Sequence, residues 1–248
     1  MDMMARPQYF LTEKTFLCLT DGIFVFLDLK NDKYSALERQ HTGAFARLVG
    51  LYSLRNESDA IGPAEIASVA DVMDDLETHG LLTRDAETGK PAELIEERRD
   101  LKELLGYEIG ESPAIRVYHV INFFSALIVV KTMLRFASMD RIITRVRRRR
   151  ERNRSRLQDG PEAPDLDRVN EMVEIYKMLK PLFVTVKDNC LFNSFFLIEF
   201  LARYGIYPNW VFGVRLNEFY AHCWVQDGDL IYDDFVDTVC QNQPIMAV

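Results

Sequence analysis

The stretch CLFNSFFLIEFLARY, from Cys190 to Tyr204, decides the fold of the C-terminal half of the chain. Its apolar residues recur at helical spacing on one face and add bulk on a second face, which predicts a helix buried in the middle of its domain. Asp188 and Asn189 are suitable caps for the start of this helix, and Gly205 ends it. Cys190 is therefore expected in the first turn of a rigidly held helix.

The segment after this helix carries a histidine placed to act as a base. Trp210–Arg215 and Phe219–Gln226 alternate like strands, DGD turns the chain, and Leu230–Asp234 is the third predicted strand. His222 lies in the second strand. The hairpin should bring an acidic side chain beside the imidazole, where it can fix the tautomer and stabilise the charged ring.

The length of the DGD turn decides which aspartate faces the histidine. A two-residue turn places Asp233 opposite His222. A three-residue turn places Asp234 there instead and pairs Cys223 with Asp233 on the other face. The residue pattern alone leaves both registers open.

A cysteine in the first turn of a helix is a candidate nucleophile. A free thiol has a pKa of about 8.5, and the helix N-terminus and a neighbouring imidazolium both lower it. The other histidines are less well placed, because His41 and His79 lie in the N-terminal part of the chain and His119 lies in an apolar segment. Cys190 and His222 therefore form the predicted catalytic pair.

Zinc binding by Cys190, His222 and Cys223 is the main chemical alternative, since thiolate and imidazole are good zinc ligands. Alternation along the strand weakens it, because Cys223 should point to the side opposite His222. We therefore expect no metal and interpret Cys223, Cys18 and Cys240 as packing residues. Four scattered cysteines also fit reduced thiols in a cytoplasm better than a disulfide framework.

The N-terminal part has a different pattern. Thr15–Leu37 predicts a three-stranded meander, followed by helices over Gln40–Tyr52, over a short segment opened by Pro63, and over Ser68–His79. This module should end near Arg84. The polar residues that follow suit a linker.

Charge and hydropathy limit the other functions. The net charge of −8 argues against a general nucleic-acid binder. A long helix is predicted from Ala114 to Arg154, and nine arginines with one glutamate give Arg141–Arg156 a local charge of +8. The simplest interpretation of that run is the solvated end of a helix, and docking onto an acidic partner or acidic lipid headgroups is the alternative. Val117–Val130, at 14 residues, is short for a membrane span, so we expect no integral span.

The segment CLFNSFFLIEFLARYGIYPNWVFGVR, then FYAHCWV, then an aspartate 12 residues after the histidine, resembles the leader peptidases of lasso-peptide biosynthesis. The resemblance covers about residues 185–235. It implies a transglutaminase-like fold with a Cys190, His222 and Asp234 triad, and it favours Asp234 over Asp233. FVFLDLKNDKYSAL, in the N-terminal module, resembles the winged-helix-like leader-recognition element of such pathways.

Together these features predict an α+β chain with a winged-helix-like domain of three strands and three helices at 8–85. A linker at 86–110 and a papain- or transglutaminase-like cysteine peptidase domain at 111–248 follow, the latter with a basic helical insertion around 141–156. The resemblance implies a cytoplasmic endopeptidase of antibiotic biosynthesis that cleaves a ribosomally made precursor before macrolactam formation. A non-catalytic leader-binding scaffold and an acyltransferase using the same triad remain the alternatives.

Recognition of the leader is expected by β-augmentation, in which an extended peptide pairs with an outer strand and its apolar side chains enter a groove beside the third helix. The expected partners are the precursor leader and an ATP-dependent asparagine-synthetase-like lasso cyclase. We expect no cofactor, so any dependence on ATP would arise through that cyclase. The predicted leader-binding residues are Tyr34, Ser35, Ala36, Leu37, Val69, Val72, Met73 and Leu76.

Overall fold

The computed structural model describes residues 7–51, 63–96, 100–104, 112–156, 165–184 and 189–248, with the side chains of 63–68 and 154–156 left out. The chain divides into two compact units, Met1–Glu96 and Glu97–Val248. Each unit combines sheet and helix, which confirms the α+β fold class.

The first unit is built on the predicted meander. Its elements are β1 (Phe10–Leu11), β2 (Thr15–Thr20), β3 (Ile23–Asp28), β4 (Lys33–Ala36), α1 (Thr42–Leu48), α2 (Pro63–Thr78) and β5 (Leu82–Thr83). Strands β2, β3 and β4 pair antiparallel in that order, and β1 pairs with β5. Asp21 and Gly22 both have positive φ, of 51° and 71°, so the β2–β3 turn has the twist that two-residue hairpins favour.

The helices of the first unit differ from the prediction in two places. Pro63–Thr78 is one continuous helix, so the prediction of a short helix at Pro63 and a separate one from Ser68 was wrong. Proline is well tolerated at the first position of a helix, and the sequence has no breaker between the two segments. The helix predicted over Gln40–Tyr52 ends at Leu48, and Tyr52 lies outside the described residues.

The core of this unit joins the sheet to both helices. The Phe45 ring of α1 lies 4.9 Å from Phe24 and 5.4 Å from Phe26. Val69 and Met73 of α2 are fully buried in the same cluster. The sheet therefore has one face covered by helix.

The described residues of the predicted linker belong to the two units. Lys90 forms a β-bridge with Leu11, and Ala92 is buried in the first core. Strand β6 (Lys102–Glu103) pairs parallel with a strand of the second unit. Residues 97–99 and 105–110 lie outside the described residues.

The second unit is a five-stranded sheet with helices. Its further elements are α3 (Val117–Phe136), α4 (Met139–Arg156), α5 (Leu166–Phe183), α6 (Cys190–Leu201), β7 (Asn209–Arg215), β8 (Tyr220–Asp227), β9 (Leu230–Ile231), α7 (Val236–Val239) and β10 (Gln243–Ala247). The strand order is β10-β7-β8-β9-β6. The single helix predicted from Ala114 to Arg154 is two helices. The chain is extended at Ala137, and the Ser138 carbonyl accepts the first hydrogen bond of α4.

Helix α6 lies at the centre of this unit, as predicted. The Phe196 ring lies 4.8 Å from Phe123 of α3 and 5.2 Å from Tyr176 of α5. On another side, Phe195 stacks on Trp210 of β7 with ring centroids 5.3 Å apart. Contacts on several sides hold α6 in place, and with it the residue at its start.

Part of the arginine run has a structural role. Glu199 of α6 is fully buried, and its carboxylate pairs with Arg145 and Arg149 of α4 at 3.2 and 3.1 Å and with Arg203 at 3.5 Å. A buried carboxylate requires such partners. The prediction of a merely solvated helix end was therefore wrong for Arg145 and Arg149, which attach α4 to α6.

Helix α3 is longer than the 14-residue apolar run suggested. By length and composition alone it could cross a membrane. In the structure one of its sides, with Phe123, Ala126 and Val130, is buried, while Val117 and Ile128 on the other side are 77% and 65% exposed. This pattern is that of a helix packed on one side, and the expected absence of an integral span stays a prediction.

Candidate active site

Cys190 is the first residue of α6. The Asn189 side chain accepts the Phe192 N–H at 2.9 Å and caps the helix, while Asp188 lies outside the described residues. The thiol is half-buried and stands at the positive end of the helix dipole. Sequence and structure therefore agree that the candidate nucleophile lies at the capped start of a helix.

His222 lies on β8 between two aromatic rings. Tyr220 and Trp224, two residues away on either side, share its face of the strand, and their ring centroids lie 5.8 and 6.0 Å from the imidazole at interplanar angles near 20°. His222 is 8% exposed. The rings hold the imidazole in one plane and favour its charged form.

Asp234 contacts His222 directly. Its Oδ2 lies 2.6 Å from His222 Nε2, and its Oδ1 accepts the Phe235 N–H at 2.8 Å. His222 Nδ1 is buried and has no hydrogen bond of ordinary geometry to any described residue. Since Nε2 is occupied by Asp234, Nδ1 is the nitrogen left for the Cys190 sulfur.

Both registers considered for the DGD hairpin were wrong. Asp227 pairs with Leu230 and Gln226 with Ile231, so the turn residues are Gly228 and Asp229. Gly228 has a φ of 58°, a conformation that glycine adopts without strain. The predicted third strand ends at Ile231 instead of Asp234, so Asp234 reaches His222 because the chain has left the sheet.

Asp233 points to a different partner. Its Oδ2 lies 3.3 Å from Lys180 Nζ of α5. Burial raises the pKa of Asp233, and the Lys180 ammonium opposes that shift. The neighbouring aspartates therefore contact different groups, Asp234 the imidazole and Asp233 a lysine.

The electrostatics of Cys190 and His222 favour an ion pair. A hydrogen bond from the Cys223 side chain and a further interaction with His222 outweigh burial and lower the pKa of Cys190 to about 4. Burial opposes the imidazolium, but Asp234 and Cys190 together raise the pKa of His222 to about 9. Near neutral pH the site therefore holds a thiolate beside an imidazolium, the reactive form of a cysteine nucleophile.

The interpretation of Cys223 and Cys240 as packing residues needs correction. Cys223 does point to the side of β8 opposite His222, but α6 packs on that side, and the Cys223 thiol contacts both Ser194 and Cys190. Cys240 is exposed and packs against nothing buried. Cys18 fits the prediction, because its burial raises the pKa of the thiol to about 12.

These side chains line a cleft of about 340 Å³. Cys190, His222 and Asp234 meet there, and Cys223, Ser194 and Tyr220 complete the wall around the sulfur. Within the described ranges, no group of three or more His, Cys, Asp or Glu residues is arranged to hold a metal ion. The cleft can thus present a thiolate and a proton donor to one carbonyl group, with the Asp234 carboxylate holding the proton donor in place.

Six of the eight predicted leader-binding residues line a groove of about 450 Å³ in the first unit. Tyr34, Ser35, Ala36 and Leu37 form one wall, and Val72 and Leu76 of α2 lie on the other. Val69 and Met73 do not line it. Both are fully buried in the core beneath the groove, so the prediction that they contact a ligand is corrected. The helical spacing identified the apolar face of α2 but could not separate its buried centre from its rim.

A cysteine at a helix start, a histidine on an adjacent strand and an aspartate behind it form the arrangement that nucleophilic cysteine chemistry requires. Residues 126–247 match the family model described as the transglutaminase-like superfamily. The second unit therefore contains a transglutaminase-like domain, and the three site residues lie within the match. No curated protein and no solved structure matches the chain significantly.

Proposed function

We propose that this protein is a cysteine endopeptidase that binds the leader of a lasso-peptide precursor and removes it before the core is cyclised. The observation that carries the proposal is His222, held by Asp234 at 2.6 Å through one nitrogen with the other left for Cys190. The motif resemblance around Cys190 and His222 supplies the substrate class.

The geometry supports a two-step hydrolysis. The Cys190 thiolate attacks the scissile carbonyl carbon, and the carbonyl π electrons move to its oxygen. As the tetrahedral intermediate collapses, His222 donates its proton to the leaving amine and the C–N bond breaks, leaving a thioester. Neutral His222 then removes a proton from water, which attacks the thioester. The C–S bond breaks, which releases the carboxylic acid and restores the Cys190 thiolate beside the imidazolium.

The groove of the first unit supports the recognition step. Strand β4 is an outer strand of its sheet, and no other strand among the described residues lies beyond it. Ser35 and Ala36 are exposed there, while Leu37, Val72 and Leu76 give the groove an apolar wall. An extended peptide could pair with β4 and place alternate side chains in the groove.

The same proposal implies partners and a location. A cytoplasmic asparagine-synthetase-like cyclase would receive the free core and supply any dependence on ATP. In this scheme the chain itself needs no cofactor, because thiolate, imidazolium and carboxylate suffice for amide hydrolysis.

Intact-mass analysis of the full-length protein incubated with a lasso precursor peptide tests the proposal, with and without the cyclase. We expect two fragments whose masses sum to the precursor plus one water. Cys190→Ala should abolish them, because it removes the nucleophile, whereas Cys240→Ala, at an exposed thiol outside the cleft, should not. Release of leader by Cys190→Ala at the wild-type rate would contradict the assignment.

Adding a primary amine to the same reaction separates hydrolysis from acyl transfer. In a peptidase water and the amine compete for the thioester, so the water adduct should dominate at low amine concentration. A product whose mass equals an acyl fragment plus the amine would favour the acyltransferase, which the transglutaminase-like superfamily also accommodates.

A further inference from the structure

A buried polar group lies directly beneath the candidate nucleophile. The Ser194 hydroxyl is 5% exposed and donates to the Cys190 carbonyl oxygen at 2.7 Å. It accepts the indole N–H of Trp210 at 2.8 Å. The Ser194 proton is therefore used within the first turn of α6, and its oxygen is fixed by a fully buried ring.

Cys223 stands between this hydroxyl and the Cys190 sulfur. Its Sγ lies 3.3 Å from Ser194 Oγ, its side chain is 4% exposed, and both cysteines line the cleft. Hydrogen bonds from the side chain and from the main-chain N–H of Cys223 are among the interactions that lower the pKa of Cys190.

The proton count assigns the donor. Trp210 donates to Ser194, and Ser194 donates to the Cys190 carbonyl, so Cys223 is the remaining donor. Its thiol proton has two acceptors, the Ser194 oxygen and the Cys190 thiolate, and the negatively charged sulfur is the stronger one. Cys223 keeps that proton because the adjacent Cys190 and burial both raise its pKa. An S–H donor is weak, but a negatively charged sulfur strengthens the hydrogen bonds made to it.

We propose that Cys223 is a positioning residue of the catalytic centre, whose thiol and main-chain N–H hold the Cys190 thiolate toward the cleft and in reach of His222. The consequence for cleavage rests on the proposed peptidase function. The effect on the thiolate does not, because it can be measured without a substrate.

Several other titratable groups line the cleft with Cys190, and the test must separate them from Cys223. On β8 these are His222 and Tyr220, and after β9 they are Asp234 and Asp233, the latter paired with Lys180 of α5. All of them stay in place when Cys223 alone is changed. A change in Cys190 ionisation then reports the missing donor.

The experiment is the pH dependence of Cys190 alkylation by iodoacetamide in the full-length protein, followed by mass spectrometry of the Cys190 peptide. Wild type should show a midpoint near pH 4. In Cys223→Ala and Cys223→Val, which lack the donor, the midpoint should rise by about one pH unit or more. Cys223→Ser retains a donor and should shift less. The exposed control Cys240→Ala should match wild type.

A folded Cys223→Ala with the wild-type profile would overturn the proposal. If that variant does not fold, Cys223→Val, which fills the space, decides in the same way. A shifted profile in a protein that cleaves no precursor would retain the positioning role and remove only the proposed substrate. An unshifted profile with intact cleavage would remove the positioning role and retain the peptidase.

Discussion

The cleft of the second unit and the groove of the first unit are built on opposite principles. In the cleft, each side chain is held by another: Asp234 holds His222, and a serine beneath the nucleophile contacts Cys223. In the groove, an outer strand and an apolar helix rim share the surface among many residues. Chemistry depends on a few atoms at fixed distances, whereas affinity for an extended peptide depends on summed contact.

This contrast predicts different effects of single substitutions. A change in the cleft should alter rate with little effect on affinity for the leader. A change at the rim of the groove should alter affinity with little effect on rate at saturating precursor. The predictions below test this separation.

The largest effect is expected at Asp234. The Asp234 carboxylate orients His222 and raises the pKa of its imidazole. Asp234→Asn removes this carboxylate, so cleavage at saturating precursor should fall by about 10³-fold or more. Steady-state cleavage and fluorescence anisotropy with a labelled leader should show this loss with unchanged leader affinity.

The pH profile gives a second measurement on the same variant. For wild type we expect activity to rise through the low pKa of the thiolate, about 4, and to fall through that of the imidazolium, about 9. Because Asp234 raises the His222 pKa, Asp234→Asn should move the alkaline limb to lower pH. Asp233→Asn is the matched control and should be mild, since Asp233 pairs with Lys180. A larger loss in Asp233→Asn would contradict the assignment.

The same residues show how far sequence reasoning reaches. The cap at Asn189, the helix from Cys190 and the strand with His222 follow from local rules of spacing and capping, and all are present. The hairpin register could not be predicted, because Asp227, Gly228 and Asp229 suit several turn lengths. Its true register brings neither aspartate opposite His222.

Contacts between elements that are distant in the chain also could not be predicted from the sequence. Alternation on β8 correctly separates His222 from Cys223 but does not reveal that α6 begins on the Cys223 side. Similarly, nothing in the spacing of the arginine run identifies Glu199 as a buried partner. Those features require the relative position of two elements, which a sequence pattern of one element does not contain.

The next effect is expected at Val72 of α2, with Ala70 on the same helix as the control. Val72 lines the groove and is partly exposed, so Val72→Glu should weaken leader binding by about tenfold while cleavage at saturating precursor changes little. Ala70→Glu, an exposed site outside the groove on the same helix, should bind like wild type. Fluorescence anisotropy measures the affinities.

A substitution at Met73 tests where the groove ends and the core begins. It is fully buried, so Met73→Glu places a charge in the core and should unfold the first unit, with a cost of several kcal/mol. Circular dichroism would detect the unfolding. A folded Met73→Glu whose only defect is leader affinity would show that the boundary between groove and core is drawn in the wrong place.

The smallest effect is expected at Gly213, which pairs with His222 across β7 and β8. A Cβ at this glycine would lie 2.9 Å from the Trp224 ring and 3.1 Å from the Gln243 carbonyl oxygen. Trp224 stacks on His222, so Gly213→Ala should displace the indole and then the imidazole, lowering cleavage by about threefold with unchanged leader affinity.

A second substitution tests whether the Trp224 ring transmits this effect. In Gly213→Ala with Trp224→Phe, the smaller ring relieves the contact, so the double variant should cleave faster than Gly213→Ala alone. If the two losses simply multiply, the ring does not transmit the effect. If Gly213→Ala weakens leader binding instead of slowing cleavage, the cleft and the groove are not energetically separate, and the contrast between them fails.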